Sequence, residues 1–262
     1  MIFGLPFGKK KKIGLALSGG GARAIAHIGA IKALLEAGFA IDAVAGTSGG
    51  ALVGAMLAGG MGMEKMLEMA RKLSWKHFFS LRLSKTGLVS SDEIQRFVWD
   101  QIGQKDFKDM EKPFVATATD IRSGERVALK EGDVGLAVRI SCTFPWMYTP
   151  VRFKDRMLVD GCLTNNLPVK EVQSLGADFV IGVDVIPRAK LEIEPKNIVE
   201  VFDRSLDLLF IEQARRAAAE ADFVVYPLTK AFTSLELNRA DEMLVMGEEA
   251  MRKAIPLIRL KM

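Results

Sequence analysis

Between Ala43 and Met63 the chain runs for 21 residues without a charged side chain, and seven of them are glycine (Gly46, Gly49, Gly50, Gly54, Gly59, Gly60, Gly62). An uncharged run of this length must leave water, into a bilayer or into a protein interior. Alanine and glycine supply little transfer free energy, so insertion into lipid would be weak. A buried strand, a turn and a buried small-residue helix fit the segment better.

The rest of the chain suits an ordinary globular protein. Its 262 residues are 49% apolar and 26% charged, enough for a sizeable core and too apolar for disorder. The expected organisation is one α/β domain over 1–262, of which 1–12 form a basic N-terminal tail. Cys142 and Cys162 are too few for a disulfide framework and suit a reducing compartment. The net charge of +4, from 36 basic and 32 acidic residues, is too small to argue for nucleic acid. Its distribution is uneven. The first 90 residues hold 12 Lys/Arg and 4 Asp/Glu, a balance of +8, which leaves −4 for the remainder. Lys9 to Lys12 read either as a solvated tail or as a weak contact with anionic lipid, at about 1 kcal/mol per cation. The apolar residues ahead of them (Ile2, Phe3, Leu5, Phe7) do not form a secretory signal. The expected location is cytoplasmic, with membrane contact at most peripheral.

Strand and helix patterns alternate along the chain. Strands are expected at 13–17, 41–45, 114–119, 126–129, 157–159, 179–185 and 223–226. Helices are expected from Ile25 to a stop at Gly38, from the 46–50 turn to Gly59, over 63–75, through Ile102 from a Ser90/Glu93 capping box, over 199–219 and over 240–258. This alternation argues for a mostly parallel sheet covered on both faces.

Two glycine-rich turns carry the chemistry. Gly46-Thr47-Ser48-Gly49-Gly50 is a G-x-S-x-G pattern where a strand turns into a helix. A tight elbow there exposes the Ser48 hydroxyl, and the helix N-terminus favours negative charge beside it. The alternative is a loop that only caps the helix. Ser18-Gly19-Gly20-Gly21-Ala22-Arg23 lies between the first strand and helix, and its backbone N–H groups can hold a phosphate or an oxyanion. The P-loop pattern is absent, and the dinucleotide pattern fails at Ala24. Arg23 reads either as a ligand for an anionic head group or as a surface arginine.

A serine nucleophile needs a base. The two histidines, His27 and His77, fall in the wrong places for a Ser-Asp-His order and read as structural. Either Ser48 is inert or its base is a carboxylate. Asp160, at a strand end and followed by Gly161, is the best choice, its alternative being a turn aspartate. The 61–69 stretch and Trp75 to Phe79 read as a lid or groove wall, or else as core.

With these residues in view, the chain resembles the patatin-like phospholipase family, particularly its small bacterial members. The resemblance rests on Gly19-Gly20-Gly21-Ala22-Arg23, then Gly46-Thr47-Ser48-Gly49-Gly50, then Asp160-Gly161, in that order and spacing. Leu15 to Ser18, Ala26 to Gly29, and Ser141, Pro145 and Pro150 also match. It covers about 13–185. It implies a three-layer α/β/α sandwich and a Ser–Asp dyad, with Ser48 as nucleophile and Asp160 as base. Gly19, Gly20, Gly21 and Gly49 would form the oxyanion hole, with Arg23 bracing it or touching substrate. The substrate would be a lipid ester, with no metal and no cofactor needed. Ala24 and Cys162 depart from the family pattern, where glycine, and glycine or alanine, are usual. Two other readings stay open: an acyltransferase using the same acyl-serine, and a non-catalytic lipid-sensing regulator. The oligomeric state is not legible.

Overall fold

The structure is a computed structural model, and it describes residues 11–78, 89–188, 195–228, 230 and 232–262. Eight strands form one sheet: β1 (Ile13–Leu17), β2 (Ala43–Gly46), β3 (Phe114–Asp120), β4 (Arg126–Leu129), β5 (Val151–Phe153), β6 (Arg156–Asp160), β7 (Phe179–Val183) and β8 (Phe223–Val225). The order is β5-β6-β3-β2-β1-β7-β8, with β4 on β3. The run from β3 to β8 is parallel, whereas β4 and β6 pair antiparallel with β3 and β5 with β6. The sheet is therefore mixed, a parallel centre with an antiparallel side. Among the described residues eight α-helices accompany it: α1 (Ile25–Glu36), α2 (Gly49–Ala58), α3 (Met63–Lys72), α4 (Asp92–Ile102), α5 (Val134–Ser141), α6 (Val169–Gln173), α7 (Ile198–Ala218) and α8 (Ala240–Lys261).

The alternation of side chains along the central strands explains the layering. Ile13, Leu15 and Leu17 of β1, Val44 of β2, and Phe179, Ile181 and Val183 of β7 face the large core beneath α1, α2 and α8. Ala16, Ala43, Ala45 and Val180 face the other way, onto Leu167, Val169 and Val172 around α6. Large residues on one face and small ones on the other let the short α6 lie close against the sheet.

The 43–63 segment is buried through Gly59 apart from the half-buried Ser48 and Gly49, and only its end, at Gly60 and Gly62, is exposed. All four residues of β2 are buried, and so is every residue of α2 from Gly50 to Ala58. Among the described residues no helix is long and apolar enough to cross a membrane. Three expectations shift. The N-cap of α4 is Ser91, not Ser90, and the Ser91 hydroxyl turns to Thr143 (3.0 Å) instead of capping. The third helix stops at Lys72, and residues 75–77 form a separate 3-10 turn. The helices α5 and α6 were not expected; at eight and five residues they are too short to show a clear period. The tail at 1–10 lies outside the described residues.

Candidate active site

β2 ends at Gly46 and α2 begins at Gly49, leaving Thr47 and Ser48 to make the turn. The Ser48 backbone has φ 53° and ψ −125°, a region that non-glycine residues adopt at a cost of about 1–3 kcal/mol. The surroundings hold it there. The Ser48 N–H donates to Ser141 Oγ at 2.9 Å, from the last turn of α5. A Cβ on Gly50 would lie 2.4 Å from the Leu17 carbonyl oxygen, so only glycine lets the elbow press on the end of β1.

Asp160 ends β6 and is completely buried. Its Oδ1 accepts the Cys162 N–H at 2.9 Å, while Oδ2 has no hydrogen-bond partner among the described residues. The Ser48 hydroxyl is close enough to pull the Asp160 pKa down, although no closed hydrogen bond joins them. Such contacts are often loose before substrate binds.

A threonine link fixes the two residues relative to each other. Thr47 Oγ1 donates to the Asn165 carbonyl at 2.9 Å. Its only proton is thereby used, so in the 2.7 Å contact with Thr117 Oγ1 it is Thr117 that donates. Thr117 in turn lies against Gly161, where a Cβ would fall 2.2 Å from Thr117 Oγ1. The neighbour of Ser48 and the neighbour of Asp160 thus share one side chain on β3.

The glycine loop lies alongside the elbow. A Cβ on Gly19 would be 3.2 Å from Ser48 Cβ, and one on Gly49 would be 2.8 Å from the Gly21 carbonyl oxygen. The four glycines are not equivalent. The Gly19 N–H is already committed to the Asn166 carbonyl at 3.2 Å. The N–H groups of Gly20, Gly21 and Gly49 have no partner among the described residues.

Arg23 is neither a surface arginine nor a free ligand for a head group. It is 1% exposed, with Nη1 on Asp207 (2.6 Å) and Nη2 on Asp203 (2.7 Å). Both carboxylates come from α7, about 180 residues along the chain. They are functional supports that sequence reasoning missed. The available signal was the i, i+4 spacing of two aspartates on one helix face, a repulsive pair unless a cation lies between them.

Ser48, Gly20, Gly21 and Gly49 open onto a cavity of about 660 Å³. Met69, Trp75 and Phe78 are among the apolar residues lining it, so part of the expected groove wall is found. Met66 is instead fully buried in the core, and Phe79 lies outside the described residues.

The chain matches the family model for patatin-like phospholipases over residues 15–172. It belongs to that family. An NTE family protein of Mycobacterium bovis, itself uncharacterised, is 33% identical over 177 residues, covering 66% of this chain and 49% of that protein. A lysophospholipase NTE1 of Coccidioides immitis is 34% identical over 181 residues, covering 67% of this chain and 12% of its own length. The chain thus spans at most about half of these relatives. Among solved structures, VipD from Legionella pneumophila superposes with a TM-score of 0.58 at 14% identity, covering 97% of this chain and 67% of VipD. The type III effector protein ExoU gives 0.56 at 16% identity, covering 96% of this chain and 54% of its own. At these identities the likeness establishes the patatin-like fold.

The titratable groups in this patatin-like site are set by burial. Burial pushes the Asp160 carboxyl up to about 6 from 3.8, opposed by its contacts with Ser48 and Cys162. Burial lowers His27 to about 4, with Nε2 held at 2.8 Å by the Ser18 carbonyl. It is a neutral ring that supports the glycine loop, as the structural reading expected. The Cys142 and Cys162 thiols are pushed well up by burial and then by the Asp160 charge. Both remain thiols at neutral pH and do not compete as nucleophiles.

The raised Asp160 pKa has a stability consequence. Because the folded value lies above the unfolded one, the carboxyl favours folding fully below about 3.8, and that contribution is lost as pH rises through about 6. Two pKa units correspond to about 3 kcal/mol. Thermal melts should therefore show Asp160→Asn more stable than the native chain near pH 8, by several degrees, and equal to it near pH 4. Equal melting at both pH values would contradict the burial cost.

Proposed function

We propose that the chain is a serine acyl hydrolase that cleaves fatty-acyl esters of phospholipids, lysophospholipids or related lipids. The observation that carries this reading is the strained Ser48, which lines an apolar cavity and lies beside a fully buried Asp160 with one oxygen unpartnered among the described residues. Family membership and the lysophospholipase relatives support lipid esters as the substrate class.

The chemistry follows from the groups present. Asp160 Oδ2 takes the proton of Ser48 as Oγ attacks the ester carbonyl carbon. The carbonyl oxygen gains negative charge and moves towards the N–H groups of Gly20, Gly21 and Gly49, where each donor can be worth about 3 kcal/mol. Gly19, expected among the donors, contributes position instead, because its N–H is taken by Asn166. The C–O bond breaks, and the leaving alcohol oxygen receives the proton from Asp160. Water then attacks the acyl-serine, gives its proton to Asp160, and releases the fatty acid as Ser48 recovers its own. The cavity holds the acyl chain away from water. Arg23 braces the loop through α7 and does not meet the substrate charge.

Fatty-acid release from lysophosphatidylcholine, with water as the only acceptor, tests the reading. The native chain should turn over, and Ser48→Ala should lose at least about 10³-fold. Acyl transfer to an added thiol or alcohol without release to water would make the chain a transferase instead.

A further inference from the structure

The helix α7 is amphipathic in the wrong sense for a helix that only packs on a core. Its inner row carries Asp203 and Asp207, both paired with Arg23 and the first also bonded to Ser234, then Phe210 and Ala214. Its outer row over the first three turns is Ile198, Val201, Phe202, Ser205, Leu208 and Leu209. Ile198 is 84% exposed, Leu208 56% and Leu209 62%. Trp146, 76% exposed, extends this row by an edge-to-face contact with Phe202, ring centres 5.6 Å apart. Placing this much aliphatic and aromatic surface in water is costly, and contiguous patches of this kind mark contact surfaces.

We propose that the outer row of α7, together with Trp146, is a docking surface for a lipid bilayer or micelle, which it sets against the mouth of the Ser48 cavity. This inference rests on the lipid acyl hydrolase reading. Continuity chooses the occupant: Trp146 and Phe202 belong both to the exposed row and to the cavity lining, so whatever covers the row meets the cavity mouth. A lipid surface there delivers an acyl chain without crossing water. The charges at the ends agree with this. Lys196 precedes the row, and Arg215 and Arg216 follow it in the exposed last turns, placed to reach head groups as the row enters the interface. Glu212 is paired with Arg215 at 3.0 Å, and Glu200 is engaged with Asn197 at the helix start. A second copy of the chain is the poorer occupant, because six or seven side chains fall short of the roughly 20–30 residues a side of a stable interface.

The test is pelleting of the full chain with phosphatidylcholine vesicles containing phosphatidylglycerol. It compares the native chain, Ile198→Gln/Leu208→Gln/Leu209→Gln, and Leu257→Gln/Leu260→Gln on α8, a helix packed on α1 whose Leu257 (54%) and Leu260 (83%) are equally exposed. None of the substituted residues lines the Ser48 cavity. The α7 variant should lose at least about tenfold in vesicle partitioning, and the α8 variant should bind as the native chain does. Hydrolysis of a soluble short-chain ester should be the same in all three, which also reports that each is folded. Equal vesicle binding by the native and α7 chains, or an equal loss in the α8 variant, would overturn the proposal. So would light scattering that finds a dimer dissolved by the α7 substitutions. A native chain that binds vesicles through α7 but never cleaves the soluble ester would instead sink the hydrolase reading and leave the docking surface standing.

Discussion

Asp160→Asn is expected to leave the chain folded and to lower kcat on a soluble short-chain ester by about 10²–10⁴-fold. The substitution keeps the shape of the side chain, and its amide oxygen can still accept the Cys162 N–H that Oδ1 holds at 2.9 Å. It removes the one group beside Ser48 able to take a proton. Neither histidine replaces it: His27 is buried, bound to the Ser18 carbonyl and held neutral by a pKa lowered to about 4, and His77 Nδ1 accepts the Ser74 N–H at 3.1 Å. The same argument fixes the pH dependence. The base works only when ionised, so kcat/KM of the native chain should rise with pH through about 6 and level off above it. A variant with near-native kcat, or a native profile without that rise, would remove Asp160 from the role of base. The asparagine variant should be slow and yet more stable near pH 8, a pairing that a merely structural aspartate would not produce.

Arg23→Ala should cost about 3–5 kcal/mol of folding stability, which for a chain of this size lowers the melting temperature by roughly 6–20 °C. The guanidinium is buried between two carboxylates; its loss strands Asp207 and leaves Asp203 with its bonds from Ser234 Oγ (2.6 Å) and N–H (3.2 Å). Burial already raises the Asp207 pKa, with the neighbouring Asp203 adding to the rise. With that cation gone, burial is opposed only by the weaker pull of Arg204. Part of the lost stability should return at low pH, where the stranded Asp207 takes up a proton. Arg23→Lys should recover only part of it, since one ammonium cannot fork to both partners. Thermal melts of the three chains decide the matter, and a loss under about 1 kcal/mol in Arg23→Ala would show that the ion pairs do not anchor the loop to α7.

The contrast between Ser48 and Arg23 shows what was legible in the sequence. Ser48 lies in a local pattern: strand, glycine, serine, glycine, helix. Local patterns carry local geometry, and the elbow stands where the residues placed it. Strand β1 and the end of the buried α2 were readable for the same reason, being bounded by glycines and uniformly apolar. The partners of Arg23 lie on α7, which is remote in sequence, and nothing near Arg23 announces that it is buried. The role of Ser141 in holding the Ser48 N–H is equally remote. The outward face of α7 marks a different limit. Its 3.6-residue period identifies a helix, but periodicity assumes that the apolar row faces inward. Here the inner row is defined by the two aspartates that Arg23 requires, and the aliphatic row is left outside. The Gly19 N–H could not be told from those of Gly20 and Gly21 by sequence, because the carbonyl that takes it belongs to Asn166, far along the chain.

The most direct test of the Ser48–Asp160 account is labelling of the native chain with a long-chain fluorophosphonate, followed by peptide mass spectrometry, with Asp160→Asn in parallel. The account predicts a single adduct on the peptide containing Ser48, forming at least about a hundredfold more slowly in the variant. An adduct on another residue, or equal labelling of Ser48 in both chains, would contradict it.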